Sequence, residues 1–275
     1  MTSQSWQLIK PVSAIVFDCD GTLSSIEGID FLAKNNGVGD IVKSLTEQAM
    51  GQTGLNPELY QQRLELVFPR REQVYALGHQ YFAHKVPDII EVITLLKRLN
   101  KTIYLISAGV NPAVKMFGEM LQIPPQNVFA VDLRFDQQGN YLDFEHSSPL
   151  INNDGKRAIV QQLKAQHGNI LHIGDGLNDI ATQDMVTRFI GYGGVTYRKN
   201  IADACKYYIN TPSLAALVPL ALTLDEFATL LPEEQALYQK GLSAMHEGKV
   251  LLNFDNDKSP PLEDVCLKLD PSLSK

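Results

Sequence analysis

The 275-residue chain has little of what marks a secreted, membrane-spanning or nucleic-acid-binding protein. Its three cysteines, Cys19, Cys205 and Cys266, show no paired spacing, and the opening Met1 to Trp6 has neither the charged nor the apolar region of a secretory leader. The expected compartment is therefore the cytoplasm, with thiols reduced. The most apolar later stretch, Leu214 to Leu224, is too short to span a bilayer and contains Pro219, so no membrane partner is expected. Basic residues are outnumbered, 24 Lys and Arg against 31 Asp and Glu, for a net charge of −7. That balance argues against nucleic acid, whose phosphate backbone selects basic surfaces. It leaves a small anionic substrate open, because a local Lys, Arg or metal can reverse the field.

What the chain does have is an ordinary globular composition, 44% hydrophobic and 20% charged, enough for a substantial core. Its most informative stretch is Asp18-Cys19-Asp20-Gly21-Thr22, directly after the apolar run Val12 to Phe17. Such a run, ended abruptly at Gly-Thr, reads as a buried strand. Carboxylates two residues apart at a strand end point to the same side. Two like charges placed together are unfavourable unless a cation or a substrate offsets them.

The remaining pattern gives an α/β fold: a Rossmann-like parallel sheet with helices on both faces and an inserted all-helical cap. Helical periodicity dominates from about Glu27 to Lys85, with helices expected near 29–36, 40–50, 57–67 and 72–83, broken by turn residues. From Pro87 onward strands and helices alternate. A strand from Lys101 to Ile106 ends at Ser107-Ala108-Gly109, and Asn111-Pro112 opens a helix. A hairpin spans 128–144, a helix follows from about Asp154, and the strand 170–173 ends at Gly174-Asp175-Gly176-Leu177-Asn178-Asp179. Short strands are expected at 188–190 and 207–209, beyond which the sheet pattern stops. Alternation of this kind places a site at the carboxyl ends of the strands. The domains are then a core of 1–24 and 87–225, a helical cap of 25–86, and a helical C-terminal extension, 226–275, with a polar, Pro-rich and poorly ordered end.

Asp18, Asp20, Ser107, Lys156, Asp175 and Asp179 converge on one crevice in this arrangement. Phosphoryl transfer needs such an inventory: a nucleophile, a proton donor, donors for the phosphoryl oxygens and a divalent cation. Three carboxylates in one pocket suit Mg²⁺.

These motifs resemble the haloacid dehalogenase superfamily and, within it, the phosphoserine phosphatases. Asp18-Cys19-Asp20-Gly21-Thr22 is similar to the first superfamily motif, Ser107 to the second, Lys156 to the third and the 174–179 stretch to the fourth. The resemblance implies that Asp18 attacks phosphorus, that Asp20 protonates the leaving alkoxide and then activates water, and that Asp18, Asp175 and the backbone carbonyl of Asp20 hold Mg²⁺. Asp179 would orient the metal shell and Lys156. Ser107 and the Ala108 and Gly109 amides, expected at a helix N-terminus, would bind phosphoryl oxygens, with Asn178 also assigned to substrate. In the cap, Glu27, Met50 and Arg63 match positions that phosphoserine phosphatases use, Glu27 for the substrate ammonium and Arg63 for its carboxylate. The implied reaction is hydrolysis of a small phosphomonoester, phosphoserine first, with phosphothreonine and phosphoethanolamine as alternatives.

The chain departs from the family at three positions. Asn56 stands where a Phe is usual, which weakens the apolar screen over the substrate; Ala108 replaces a Gly; and Leu177 replaces a smaller residue. A phosphate-sensing scaffold acting through the C-terminal extension is the reading from another class. His172, on a buried strand, is expected to be a satisfied core histidine, and Cys19 to be packing.

Overall fold

The computed structural model describes residues 6–51 and 54–254, apart from the side chains of Met50 and Gly51. The expected first strand forms as β1 (Ala14–Phe17), buried on both faces, which is why its sequence runs apolar without alternation. With β2 (Thr102–Asn111), β3 (Val128–Phe135), β4 (Tyr141–Phe144), β5 (Ile170–Gly174), β6 (Arg188–Tyr192), β7 (Tyr207–Ile209) and β8 (Val250–Leu252) it builds one sheet of order β4-β3-β2-β1-β5-β6-β7-β8. β1 pairs in parallel with β2 on one side and β5 on the other. The chain thus changes direction across the sheet at β1, and the crevice this opens lies at the carboxyl ends of β1, β2 and β5.

Helices α1 (Gly28–Asn35), α2 (Gly39–Gly51), α3 (Pro57–Val67) and α4 (Arg71–Ala83) fill the interval between β1 and α5 (Ile89–Arg98), close to the expected bounds. Asn56 caps α3, its Oδ1 accepting from Leu59 N at 2.8 Å with Pro57 in the first turn. The two segments that join this block to the sheet are paired with each other. Ser25 N donates to His84 O at 2.8 Å, Val86 N donates to Leu23 O at 3.0 Å, and Ser24 bridges to Lys85. The four helices therefore stand on a two-stranded stalk.

The second half follows with α6 (Ala113–Met120), α7 (Gly155–His167), α8 (Leu177–Ile180), α9 (Lys199–Ala204), α10 (Leu217–Ala221), α11 (Leu224–Phe227) and α12 (Pro232–His246). The hairpin forms as β3 and β4, with Gly139 at φ +82° in its turn.

Two features differ from the sequence reading. β2 continues past Ile106 to Asn111, slipping register between Ile106 and Val110 before it resumes pairing with β3 at Val131 and Asp132. The Asn111 side chain secures the extension by donating to Asp132 Oδ1 at 2.7 Å and Ala130 O at 3.3 Å. Ala108 and Gly109 consequently sit in an irregular stretch of strand, and the helix that was to present their amides begins only at Ala113. The sheet also does not stop at Ile209, because β8 adds to β7 antiparallel. β8 follows α12 after only three residues, outside the strand–helix alternation that marks the rest of the sheet. The expected disorder from about residue 255 onward, and Cys266, lie outside the described residues. Among the described residues no helix is long and apolar enough to cross a membrane.

The segment after Thr223 is fastened to the core. α12 buries Leu237, Tyr238, Leu242 and Met245, and Lys240 pairs with Asp88 at 2.7 Å. Lys101, with its side chain 1% exposed, donates to Glu226 Oε1 at 2.5 Å and to Val12 O at 3.0 Å. A buried ammonium stripped of its partner is costly, whereas an apolar replacement of similar length is not. Glu226→Ala is expected to lower unfolding stability by about 3 kcal/mol and Lys101→Met by much less, as measured by urea denaturation. Equal losses from the two would show that the charge pair is not what holds α11 to the sheet.

Candidate active site

The carboxyl ends of β1, β2 and β5 bring the motif residues together. Lys156, in the first turn of α7 and 1% exposed, donates to Asp18 Oδ1 at 2.5 Å and to Asp179 Oδ1 at 2.7 Å. Thr22 Oγ1 lies 3.5 Å from both Asp18 Oδ2 and Asp175 Oδ1. Gly21 closes the loop over Asp175 with φ +72°; a Cβ there would stand 2.6 Å from Asp175 Oδ2, so the turn needs glycine on both counts.

Asp18, Asp175 and Asp179 place carboxylate oxygens within 4.8 Å of one another, all buried. An anionic, all-oxygen donor set of this kind fits a hard divalent cation. Burial, then the negative neighbour Asp179, hold the Asp18 carboxyl well above its usual range, with Lys156 opposing. Burial likewise raises Asp175 against the pull of Arg198. Asp179 behaves differently: although burial works against its charge, Lys156 and His172 hold it down to about 2. Its Oδ1 accepts from Lys156 and faces His172, and its Oδ2 accepts from Gly176 N at 3.1 Å.

His172 is the satisfied, fully buried histidine expected. Its Nδ1 faces the Thr182 hydroxyl at 2.6 Å and its Nε2 faces Asp179 Oδ1 at 3.1 Å. A ring that donates from Nε2 meets Asp179, and burial lowers its pKa. Cys19 is also fully buried, and burial pushes its thiol well up.

Asp20 stands beyond the end of β1, and its carboxylate takes partners different from those of Asp18. Oδ2 accepts from Ser107 Oγ at 3.0 Å, and Ser107 Oγ in turn accepts from Gly109 N at 2.8 Å. Oδ1 accepts from Gly28 N at 2.6 Å and from Tyr81 Oη at 2.7 Å. Both aspartates nonetheless line one cavity, together with Ser107, Ala108, Gly109 and Asn178 from the sheet side.

The helical block covers this cavity with Glu27, Ile29, Leu55, Tyr60, Arg63 and Leu64. Arg63 is 6% exposed; Nη1 reaches Thr46 Oγ1 at 3.4 Å, while Nε has no hydrogen-bond partner. Burial lowers its pKa. Asn178 Oδ1 is a second buried atom without a partner in the same cavity. Met50 ends α2, and its side chain lies outside the described residues.

The departures from the family pattern resolve individually. Asn56 is occupied as a helix cap, and the apolar cover comes from Leu55 and Tyr60, whose hydroxyl donates to Ala108 O at 3.0 Å and whose ring lies 5.2 Å from that of Phe144. Leu177 packs against Ile201, Ala202 and Tyr208, away from the cavity. Sequence reading missed Arg198, which donates to Asp175 Oδ2 and approaches Glu27 to 4.0 Å. Its only signal was indirect, an excess of carboxylates that calls for a second cation. Tyr60, Tyr81 and Thr22 were missed as well; of these, only Thr22 lies inside a motif.

Comparison with known proteins follows the same lines. A model of the haloacid dehalogenase-like hydrolase family matches residues 12–182. The phosphoserine phosphatases of Bos taurus and Homo sapiens are each 36% identical over 209 residues, 75% of this chain and 93% of theirs. A phosphoserine phosphohydrolase-like protein from Francisella tularensis shares the fold, with a TM-score of 0.69 at 23% identity over 76% of this chain and 100% of that one.

The raised pKa of Asp18 carries a sign. An acid whose folded pKa lies above the unfolded one has full stability below the unfolded pKa and loses it as pH rises. At neutral pH, with chelator present, Asp18→Asn is therefore expected to melt about 2–4 °C above the native sequence by calorimetry. An equal or lower melting temperature would show that the cluster carries no net repulsion.

Proposed function

The chain belongs to the haloacid dehalogenase-like hydrolases, and from that premise we propose that it hydrolyses O-phospho-L-serine to L-serine and phosphate. The observation that carries the substrate assignment is Arg63, whose buried Nε has no hydrogen-bond partner and which lines the same cavity as Asp18 and Asp20. A planar cation left unpaired beside an anionic reaction site is a receptor for a carboxylate. Glu27 faces the same cavity and supplies the countercharge for an ammonium. In this reading residues 25–86 are the cap that selects the substrate, and 1–24 with 87–225 the core that performs the chemistry.

Lys156 fixes one oxygen of Asp18 and leaves the other to attack. The new bond forms between Asp18 and phosphorus, the ester P–O bond breaks, and its electron pair leaves on the serine oxygen, which takes a proton from Asp20. In the second step Asp20 accepts a proton from water as the oxygen of that water attacks phosphorus and the Asp18–phosphorus bond breaks. Ser107 and the Ala108 and Gly109 amides receive the phosphoryl oxygens; Gly109 N, now given to Ser107 Oγ, has to turn to do so. Asn178 Oδ1 is placed to meet a donor on the substrate. Mg²⁺, held by Asp18, Asp175 and the Asp20 backbone carbonyl, would supply charge neutralisation for the attack of one anion on another. The contacts of Asp179 with Lys156, His172 and Gly176 N support an orienting role for it.

The packing of α12 and β8 into the core supports a structural role for the C-terminal segment over a scaffold function. We place the protein in the cytoplasm on the free, buried thiols of Cys19 and Cys205.

Purified protein with Mg²⁺ is expected to release phosphate from phosphoserine, and Asp18→Asn to abolish that release. Arg63→Met should lower kcat/KM for phosphoserine roughly 10²–10³-fold, the cost of unpairing a buried charge, while phosphoethanolamine, which lacks the carboxylate, changes by less than about threefold. Equal losses on the two esters would remove Arg63 as the carboxylate receptor. A higher kcat/KM for phosphothreonine than for phosphoserine would replace the substrate assignment.

A further inference from the structure

Tyr81 is a large polar side chain at the site that the mechanism above leaves unused. It lies on α4, fully buried, with its ring stacked on Phe117 of α6 at 5.7 Å. Its own carbonyl accepts from Ser24 Oγ at 3.1 Å, which ties its backbone to the stalk. The phenol thus has little freedom, and its hydroxyl ends 2.7 Å from Asp20 Oδ1. The main chain makes room for it. Gly28 supplies the other donor to the same oxygen, and a Cβ on Gly28 would stand 2.0 Å from the Tyr81 hydroxyl. Any other residue at position 28 would displace the phenol from the carboxylate.

We propose that Tyr81 is a positioning residue for Asp20: together with Gly28 N it fixes Oδ1, so that Oδ2 is the oxygen that carries the proton to the leaving group. The inference rests on the phosphomonoesterase reading of the site. A carboxyl oxygen has two in-plane acceptor positions, and on Oδ1 two donors occupy both. A proton on Asp20 must then sit on Oδ2. That oxygen faces the phosphoryl side, where Ser107 Oγ lies 3.0 Å away and a Cβ built on Gly109 would lie 2.9 Å away. As the ester bond breaks, the proton passes from Oδ2 to the departing alkoxide, and the carboxylate left behind keeps its two donors on Oδ1. Without the phenol, Oδ1 retains a single donor, the proton can occupy either oxygen, and the carboxyl can turn. Only part of the population then delivers its proton where the alkoxide forms. Because the stalk and the helical block hold the phenol, the acid is in place only while that block is closed over the site.

A structural role and a positioning role separate on the leaving group. Phosphoserine leaves as an alkoxide that needs a proton, whereas acetyl phosphate leaves as acetate and needs none. kcat/KM reports the steps up to ester cleavage, so the shared second step does not blur the comparison. Tyr81→Phe, which keeps the ring packing, is expected to lower kcat/KM roughly 10- to 100-fold for phosphoserine, part of the range for general acid catalysis, and less than about threefold for acetyl phosphate. In an Asp20→Asn background the same substitution is expected to have no further effect on phosphoserine. Equal losses on both substrates, no loss on phosphoserine, or full additivity with Asp20→Asn would each overturn the proposal. Should Tyr81→Phe fail to fold, Gly28→Ala displaces the same hydroxyl with the tyrosine retained and is expected to show the same selectivity. If the native protein cleaves another alkyl phosphate and not phosphoserine, the substrate assignment falls and the Tyr81 comparison is made on that ester. If it cleaves no phosphomonoester, both readings fall together.

Discussion

The contact of Lys156 with Asp18 and Asp179 is the interaction on which the rest of the site depends. Three buried carboxylates are gathered beyond the carboxyl ends of β1 and β5. Without a cation such a cluster would neutralise itself by taking up protons. One buried ammonium, bonded to two of the three, sets their roles apart. Asp179, with Lys156, His172 and Gly176 N around it, is held ionised. Asp18 shares the same lysine yet remains uncomfortable as an anion, because burial and its neighbours outweigh that single contact. The asymmetry leaves Asp179 ionised and Asp18 short of countercharge, so that Asp18 is the carboxylate that would gain more from a further cation.

The parts of this arrangement that could be read from the sequence are those that lie at strand ends. β1 is a continuous apolar run because both its faces are covered, and Asp18 and Asp20 follow it directly. β5 is likewise a buried run, followed directly by Asp175 and then by Asp179 in α8, and Lys156 lies in the first turn of the helix that precedes it. Residues that approach from other elements left no such trace. Arg198 reaches Asp175 and Glu27 from the start of α9, and Tyr81 reaches Asp20 from the far end of α4. Neither has a motif, since its position depends on how whole elements pack. The extension of β2 was hidden for a related reason. Ser-Ala-Gly reads as the end of a strand, and only the Asn111 contacts to Ala130 and Asp132 show that pairing resumes after the slip.

Asn56 shows how a single departure can mislead. A polar residue in place of an aromatic suggested a wetter, less selective cavity. In the structure the side chain turns back to cap α3, and Tyr60, one turn further along, closes the cavity instead. The phenol of Tyr60 reaches across to the Ala108 carbonyl, and its face lies 5.6 Å from the Arg63 guanidinium. An aromatic face of this kind orients a guanidinium without consuming its donors. The apolar cover over the cavity is thus kept, with a different residue doing the screening and the Arg63 Nε left without a partner.

Charge and hydrogen bonding also join the helical block to the chemistry beneath it. Glu27 meets Arg198, which holds Asp175; Gly28 N and Tyr81 hold Asp20; and Tyr60 holds the backbone at Ala108. Each contact runs from the covering helices or their stalk to a group at the carboxyl end of a strand. Opening the block on its stalk would therefore do more than admit water and substrate. It would take the donors from Asp20 and the countercharge from Glu27 in the same movement. The covering helices thus hold groups of the site as well as enclosing its cavity.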